Sequence, residues 1–347
     1  MSELLKAIRL MGPTHMVKLG RAYKTGWDEM IRGYVATQAV HAILSVGLLD
    51  ELQKKESVDI PEFARERKLE LPILLPVCEA LYSMGILDRS GHHYKLADRS
   101  ASTIEVLRGW LEISFGYAEV FNDLEKMIKG ERVYAKDFYR KSDWVATGSG
   151  EMEHWLFFPM VNDILKARNA ARVVDLGCGD ATFLRELCGI NADVHCFGID
   201  LAATAIEEGQ RRNEAAGLAN RITLQTGNIC DVDAIPASFK TAQAATIFFI
   251  LHEILYQGEQ ALIDFLKGFQ RSFPGVPLIA FEAVRPTAEE MREHQGIAIY
   301  YYLYHELTQQ KPVSRERWKS LFHQAGFTNV EERFLSFSHS AVYTLSQ

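Results

Sequence analysis

Apolar and polar positions change period several times along this chain, and the changes divide it. Over residues 27–50 the apolar side chains Ile31, Val35, Val40, Ile43, Leu44 and Leu48 recur at roughly helical spacing, and Gly47 marks where one helix ends and a short one begins. Asp59-Ile60-Pro61 reads as a helix start, because an acid at the N-cap accepts an orphan N–H and proline fits the first turn. A further helix covers residues 71–85, with Pro72 and Pro76 limiting its regularity at the start. Residues 86–89 and 93–96, separated by Ser90-Gly91-His92, read as a hairpin. Helices followed by such a hairpin predict a winged helix over residues 1–100.

Residues 101–168 read as connecting helices, over 104–115, 118–128 and 154–170, with Ala146-Thr147-Gly148-Ser149-Gly150 as a flexible turn before an aromatic cluster. From residue 169 onward the period alternates. Apolar runs at 194–200, 222–225, 245–250 and 277–282 read as strands, and helical spacing returns over 202–216, 260–273 and 314–325, the last stopped by Gly326. Alternation with short links predicts an α/β fold, a mostly parallel sheet covered on both faces, with strands at the C-terminus closing the domain. Ligands in such sheets bind at the carboxyl ends of the strands.

The first of these strands opens the most informative stretch, Arg172-Val173-Val174-Asp175-Leu176-Gly177-Cys178-Gly179-Asp180-Ala181-Thr182-Phe183-Leu184. It reads as strand, tight turn and helix start, and glycine there lets the backbone turn sharply and a ligand approach. Thr182 stands where a dinucleotide fingerprint places its third glycine, which makes a nicotinamide the weaker reading. The second strand ends at Asp200, where a carboxylate takes ribose hydroxyls. The third ends at Gly227-Asn228-Ile229, which sets an amide beside an adenine. In that order and spacing the three motifs resemble the donor-binding half of class I S-adenosylmethionine-dependent methyltransferases, over about residues 150–347. The resemblance implies a Rossmann-like domain at 169–347 and S-adenosylmethionine as cofactor. It implies Asp175, Gly177, Cys178, Gly179, Asp200, Leu201, Asn228 and Ile229 as donor-binding residues. Enzymes of this kind commonly close the donor pocket with the helix before the first strand, which brings in Ser149 and His154.

Composition narrows the partners. The 347 residues are 48% hydrophobic and 24% charged, as in a folded globular chain, and the net charge of −7 argues against a general nucleic-acid or membrane-surface partner. The candidate recognition helix, 71–84, has no lysine or arginine to meet phosphates or guanine edges. The first domain is therefore expected to serve dimerisation and to act as a substrate lid, as the resemblance also implies, making the protein a homodimer. No apolar run is long enough to span a membrane, and Met1-Ser2-Glu3-Leu4-Leu5-Lys6 lacks a signal peptide's apolar core, so a cytoplasmic location is expected. Five cysteines without a Cys-x-x-Cys pair indicate buried thiols.

On the acceptor side, His252-Glu253 follows an apolar strand and His305-Glu306 follows a tyrosine-rich run that includes Tyr300, Tyr301, Tyr302 and Tyr304. In one reading His252 is a general base for a phenol or other hydroxyl. Leu251-His252-Glu253 resembles the Leu-His-Asp segment of winged-helix O-methyltransferases, which usually continue with tryptophan where Ile254 stands here. In the other, His252 and His305 are metal ligands, with Glu253 or Glu306 as further ligand, supporting partner or base. A divalent or ferric ion, iron first among them, would act as a Lewis acid on a 2-oxo acid whose carbon beside the ketone attacks the sulfonium methyl. Residues 249–255, Phe281-Glu282, the tyrosine run and Thr308-Gln309-Gln310 resemble the 2-oxo-acid C-methyltransferases, the 2-ketoarginine and phenylpyruvate enzymes. That resemblance implies a small-molecule acceptor in specialised metabolism, with His252 and His305 as ligands. The tyrosines would wall the acceptor pocket, and Glu282 would bind a cationic tail or order a loop. A donor-binding protein without catalysis is the remaining alternative.

Overall fold

The computed structural model describes residues 3–293, 296 and 298–347, and it separates into two compact units, Met1–Glu112 and Ile113–Gln347. The expected connector at 101–168 is not a body of its own: the division falls inside the helix Ile104–Gly116.

In the first unit a long helix, Trp27–Ser45, ends before Gly47, whose positive φ of 77° turns the chain into Leu48–Lys54. The Asp59 side chain accepts the Glu62 N–H at 2.8 Å and starts the helix Ile60–Arg67, with proline in its first turn. The helix Leu71–Ser83 follows, and the strands β1 (Val58–Asp59), β2 (Leu87–Ser90) and β3 (His93–Leu96) form a small antiparallel sheet in the order β1-β3-β2. Ile43, Leu48, Leu49, Ile60, Cys78, Leu81, Leu87 and Tyr94 make its core. The apolar stripe of the long helix is only half used. Val40, Ile43 and Leu44 are buried, whereas Trp27, Met30, Ile31 and Tyr34 are each more than 60% exposed.

The second unit is built on a seven-stranded sheet: β4 (Arg172–Leu176), β5 (His195–Asp200), β6 (Ile222–Thr226), β7 (Ala244–Phe248), β8 (Leu278–Ala283), β9 (Asn329–Leu335) and β10 (Ser340–Ser346). Their order is β6-β5-β4-β7-β8-β10-β9. The first five strands are parallel, while β10 lies antiparallel to β8 and to β9. A short link between β9 and β10 permits only a hairpin, and that hairpin makes the sheet mixed. β4 and β7 are neighbours at the point where the strand order reverses, the place where such sheets open a crevice. The central strands β7, β8 and β10 are almost wholly buried, and Trp318, Phe322 and Tyr343 pack with Phe269 and Phe273 in the adjoining core. Among the described residues no single helix is long and apolar enough to cross a membrane.

Before the sheet, residues 118–128 break into Ala118–Asn122 and Leu124–Ile128, and 154–170 is the end of one helix, Ser142–Leu156, followed by another, Phe158–Ala167. The expected flexible turn at 146–150 is instead helical throughout. Gly148 is buried there, and Val145 one turn earlier lies against Gly116, where a Cβ would come within 2.5 Å of its Cγ2. Packing thus holds as helix a segment whose glycines disfavour it by about 1 kcal/mol each.

Candidate active site

A cavity of about 860 Å³ opens at the carboxyl ends of β4 and β7. One wall is the turn after β4. Gly177 and Gly179 both have positive φ, 81° and 53°, and Ala181 joins them in the left-handed region just before the helix Thr182–Ile190. The Gly177 and Cys178 N–H groups donate to the Ile199 carbonyl at 2.8 and 3.1 Å, and Gly179 N–H donates to Asp200 Oδ2 at 2.9 Å. Asp200 Oδ1 also takes the Ala202 N–H, so its carboxylate is fixed at the mouth of β5. The two glycines differ in cause. A Cβ at Gly177 would overlap the Ile250 side chain, whereas nothing lies within 4 Å of the corresponding position at Gly179. Ligand approach therefore concerns Gly179, and Gly177 is small to admit Ile250.

Asp175, at 2% exposure, accepts the Thr246 hydroxyl from β7 at 2.7 Å. Burial pushes its carboxyl up to about 7; the Thr246 bond opposes this and the Asp200 charge adds to it. Burial likewise holds the Cys178 thiol well above its ordinary value, so it is a neutral wall. The helix Ser142–Leu156 contributes Ser149, Glu153 and His154 to the same cavity, with His154 Nδ1 2.6 Å from Glu186.

Three further residues are expected to bind the donor. Leu201 is 73% exposed, Asn228 turns its Oδ1 back to the Cys230 N–H, and Ile229 is buried in the hydrophobic core. None of the three lines the cavity. The chain around Asn228 closes a local side-chain turn, a competing use of asparagine that spacing does not reveal.

The other end of the cavity is built from the segment after β7. Phe249 has a φ of 53°, an uncommon state for a bulky residue, and its N–H donates to the Phe281 carbonyl at 2.8 Å. The helix Leu251–Tyr256 begins immediately after it. Glu282, fully buried on β8, accepts the Leu251 N–H at 2.6 Å and holds His252 Nδ1 at 2.8 Å. It thus orders the loop, the second of its expected roles, and it also orients the histidine. His252 and His305 are both buried, their rings 4.8 Å apart and nearly perpendicular. His305 is delivered by the helix Ala298–Leu307, whose Tyr304 stacks on Tyr117 at 4.4 Å and bonds Ser114 at 2.9 Å. Of the expected tyrosine wall, Tyr304 lines the cavity, Tyr302 lies beside Arg285, and the side chains of Tyr300 and Tyr301 lie outside the described residues.

Glu253 has a different place from the ligand or base expected of it. Its Oε1 accepts from Arg140 Nη2 and from Gln310 Nε2, each at 3.0 Å, while Arg140 Nη1 donates to the Tyr117 hydroxyl at 2.7 Å. Burial raises the Glu253 carboxyl, but the His252 and Arg140 charges and these hydrogen bonds prevail and hold it below its ordinary value. It is an anion engaged twice, poorly suited to accept a proton. Glu306 points to an exposed pair with Arg285 at 3.2 Å. Arg140 and Tyr117 are far apart in the chain and sit in no motif, so nothing in the sequence singles them out; Gln310 falls in the Thr308-Gln309-Gln310 segment that carries the resemblance to the 2-oxo-acid C-methyltransferases.

Residues 173–269 match the family described as "Methyltransferase domain", and that span contains the β4 turn, Asp200 and His252. The chain is a class I S-adenosylmethionine-dependent methyltransferase. This methyltransferase is 26% identical over 311 residues to the 2-ketoarginine methyltransferase of Streptomyces arginensis, covering 88% of this chain and 89% of the relative. It is 26% identical to the indolepyruvate C-methyltransferase of Streptomyces griseus, covering 91% and 93%. Human N-acetylserotonin methyltransferase, solved with S-adenosylmethionine, shares the fold at a TM-score of 0.68 and 14% identity, covering 94% of this chain and 97% of that one.

Proposed function

We propose that the methyltransferase places a methyl group on the carbon beside the ketone of a small 2-oxo acid. The observation that most supports it is the convergence of His252, His305 and Arg140 on one end of the donor cavity. In the reaction a proton leaves the carbon beside the ketone, that carbon forms a bond to the sulfonium methyl, and the methyl–sulfur bond breaks to leave S-adenosylhomocysteine. Arg140 stays cationic, since Tyr117 and Glu253 outweigh the burial that works against its charge, and it offers a fork for the acceptor's carboxylate. The two relatives named for 2-ketoarginine and indolepyruvate agree in acceptor class.

The histidines also fit an ion. The Glu282 carboxylate on His252 Nδ1 leaves Nε2 as the ligating nitrogen, the arrangement by which ligating histidines are usually oriented. Among the described residues no cluster of three histidine, cysteine or acidic side chains forms, so His252 and His305 would be its protein ligands, with the acceptor's oxygens beside them. When bound, a divalent or ferric ion would draw charge from the ketone and acidify the neighbouring carbon.

The same Glu282–His252 pair favours one second reading, O-methylation of a phenol or hydroxyl with His252 as general base. Mass spectrometry of products from a panel of 2-oxo acids and phenols, with and without a chelator, separates the two. Methyl on carbon, lost with chelator and restored by metal, is the expected result; methyl on oxygen, unaffected by chelator, would overturn it. The protein is further proposed to act as a homodimer through its first unit, because Leu10, Tyr23, Trp27, Met30, Ile31 and Tyr34 there are strongly exposed.

A further inference from the structure

Most charged groups on the donor walls are already engaged. Asp180 accepts from Thr182 and Arg185 and pairs with Arg212 at 2.8 Å. Asp200 takes two backbone N–H groups, His154 is bonded to Glu186, and Glu253 is shared by Arg140 and Gln310. At the far end His252 is held by Glu282. Besides the exposed Glu151, the exception is Glu153. It lines the cavity from the helix Ser142–Leu156, it is half-buried, and among the described residues no side chain or backbone group hydrogen-bonds its carboxylate. An unpaired carboxylate in such a place is costly unless it is protonated or meets a cation.

The donor brings that cation. S-adenosylmethionine carries a sulfonium and an ammonium against one carboxylate; the product S-adenosylhomocysteine has lost the sulfonium charge. We infer that Glu153, acting with Asp175, recognises the donor's positive charge, releasing a proton to solvent as the donor binds and so favouring donor over product. Two further observations agree. Burial pushes the Glu153 carboxyl up to about 8, with the Asp175 charge adding to the effect, and Asp175 is itself raised. Neither group has a basic side chain bonded to it, in contrast to Asp180 and Glu253. The inference rests on the donor's identity and not on the acceptor's.

Calorimetric titration of the full chain with each ligand, from pH 6 to 9 in buffers of different ionisation enthalpy, tests it. Donor binding should release protons near pH 7 and product binding should release fewer, so that donor affinity rises with pH by up to about tenfold per unit while product affinity stays nearly flat. Glu153→Gln should weaken donor binding by about tenfold at pH 8.5, change product binding by less than about twofold, and flatten the pH dependence of their ratio. Equal proton release for both ligands in the wild type would overturn the proposal even if the variant failed to fold. A variant that lost both ligands equally, or neither, would also overturn it. Failure of either ligand to bind the wild type would instead count against the donor itself.

Discussion

His252 is held from two sides: Glu282 takes its Nδ1, and its backbone carbonyl accepts the Lys311 N–H at 3.3 Å from the segment beyond His305. Removing Glu282 as an anion should therefore disturb orientation before anything else. Glu282→Gln is expected to lower kcat by about 10- to 100-fold with donor affinity little changed. His252→Ala and His305→Ala should each lower turnover by at least about 100-fold and leave donor binding near normal by calorimetry; loss of donor binding in both would contradict the roles given them. Protons also leave a mark on stability. The Glu153 and Asp175 carboxyls are raised from 4.5 and 3.8 to about 8 and about 7, so between pH 5 and 8 the unfolded chain has released protons that the folded chain keeps. That difference favours unfolding as pH rises. Without ligand, Tm should fall from pH 5 to 8, and Glu153→Gln should remove part of the fall; a flat profile identical in both proteins would contradict it.

At the scale of elements, the site depends on two turns meeting edge to edge, the one after β4 and the one after β7. Ile250 fills the space that Gly177 leaves, and Gly177 is also in a conformation that alanine adopts only with strain. Gly177→Ala should cost more than about 1 kcal/mol in urea unfolding, and adding Ile250→Ala should recover part of the loss but not the strain at positive φ. Full recovery would mean that overlap alone was responsible. The helix Ser142–Leu156 shows why local patterns mislead here. Thr147-Gly148-Ser149-Gly150 has loop composition, yet it lies in a helix packed through Val145 on Gly116 and against the helices Phe158–Ala167 and Thr182–Ile190, and that helix brings Ser149, Glu153 and His154 to one cavity.

For the whole molecule, the first unit leaves unburied half of a stripe that helical spacing already marked. Val40, Ile43 and Leu44 serve its core, while Ile31 and Val35 face outward, with Trp27, Met30 and Tyr34 of the same helix also exposed. A patch of that kind is stable in water when a second surface covers it. Light scattering should report twice the chain mass, and Trp27→Glu combined with Ile31→Glu should shift it to the single-chain mass; a wild-type monomer at micromolar concentration would remove the proposal. The exposed edge strand β9 is protected differently, by Glu331, Glu332 and Arg333 along its length.

What the amino-acid sequence determined by itself was whatever local chemistry dictates: the β4 turn with its glycines, Asp200 at the end of the next strand, the cap at Asp59, the period changes that mark strands and helices, and the two histidines in apolar runs. Each follows from backbone freedom, capping or periodicity within a few residues. Tertiary structure decided the pairings between distant residues. It joined Glu282 to His252 across 30 positions and Arg140 to Glu253 across 113, and it turned Glu153 toward Asp175's cavity. It also bonded Asn228 to the Cys230 N–H, packed Ile229 into the hydrophobic core and inserted β10 beside β8 in the opposite direction. Such contacts are set by which faces the sheet order brings together and by the burial of charge, and neither is encoded in a local window of sequence.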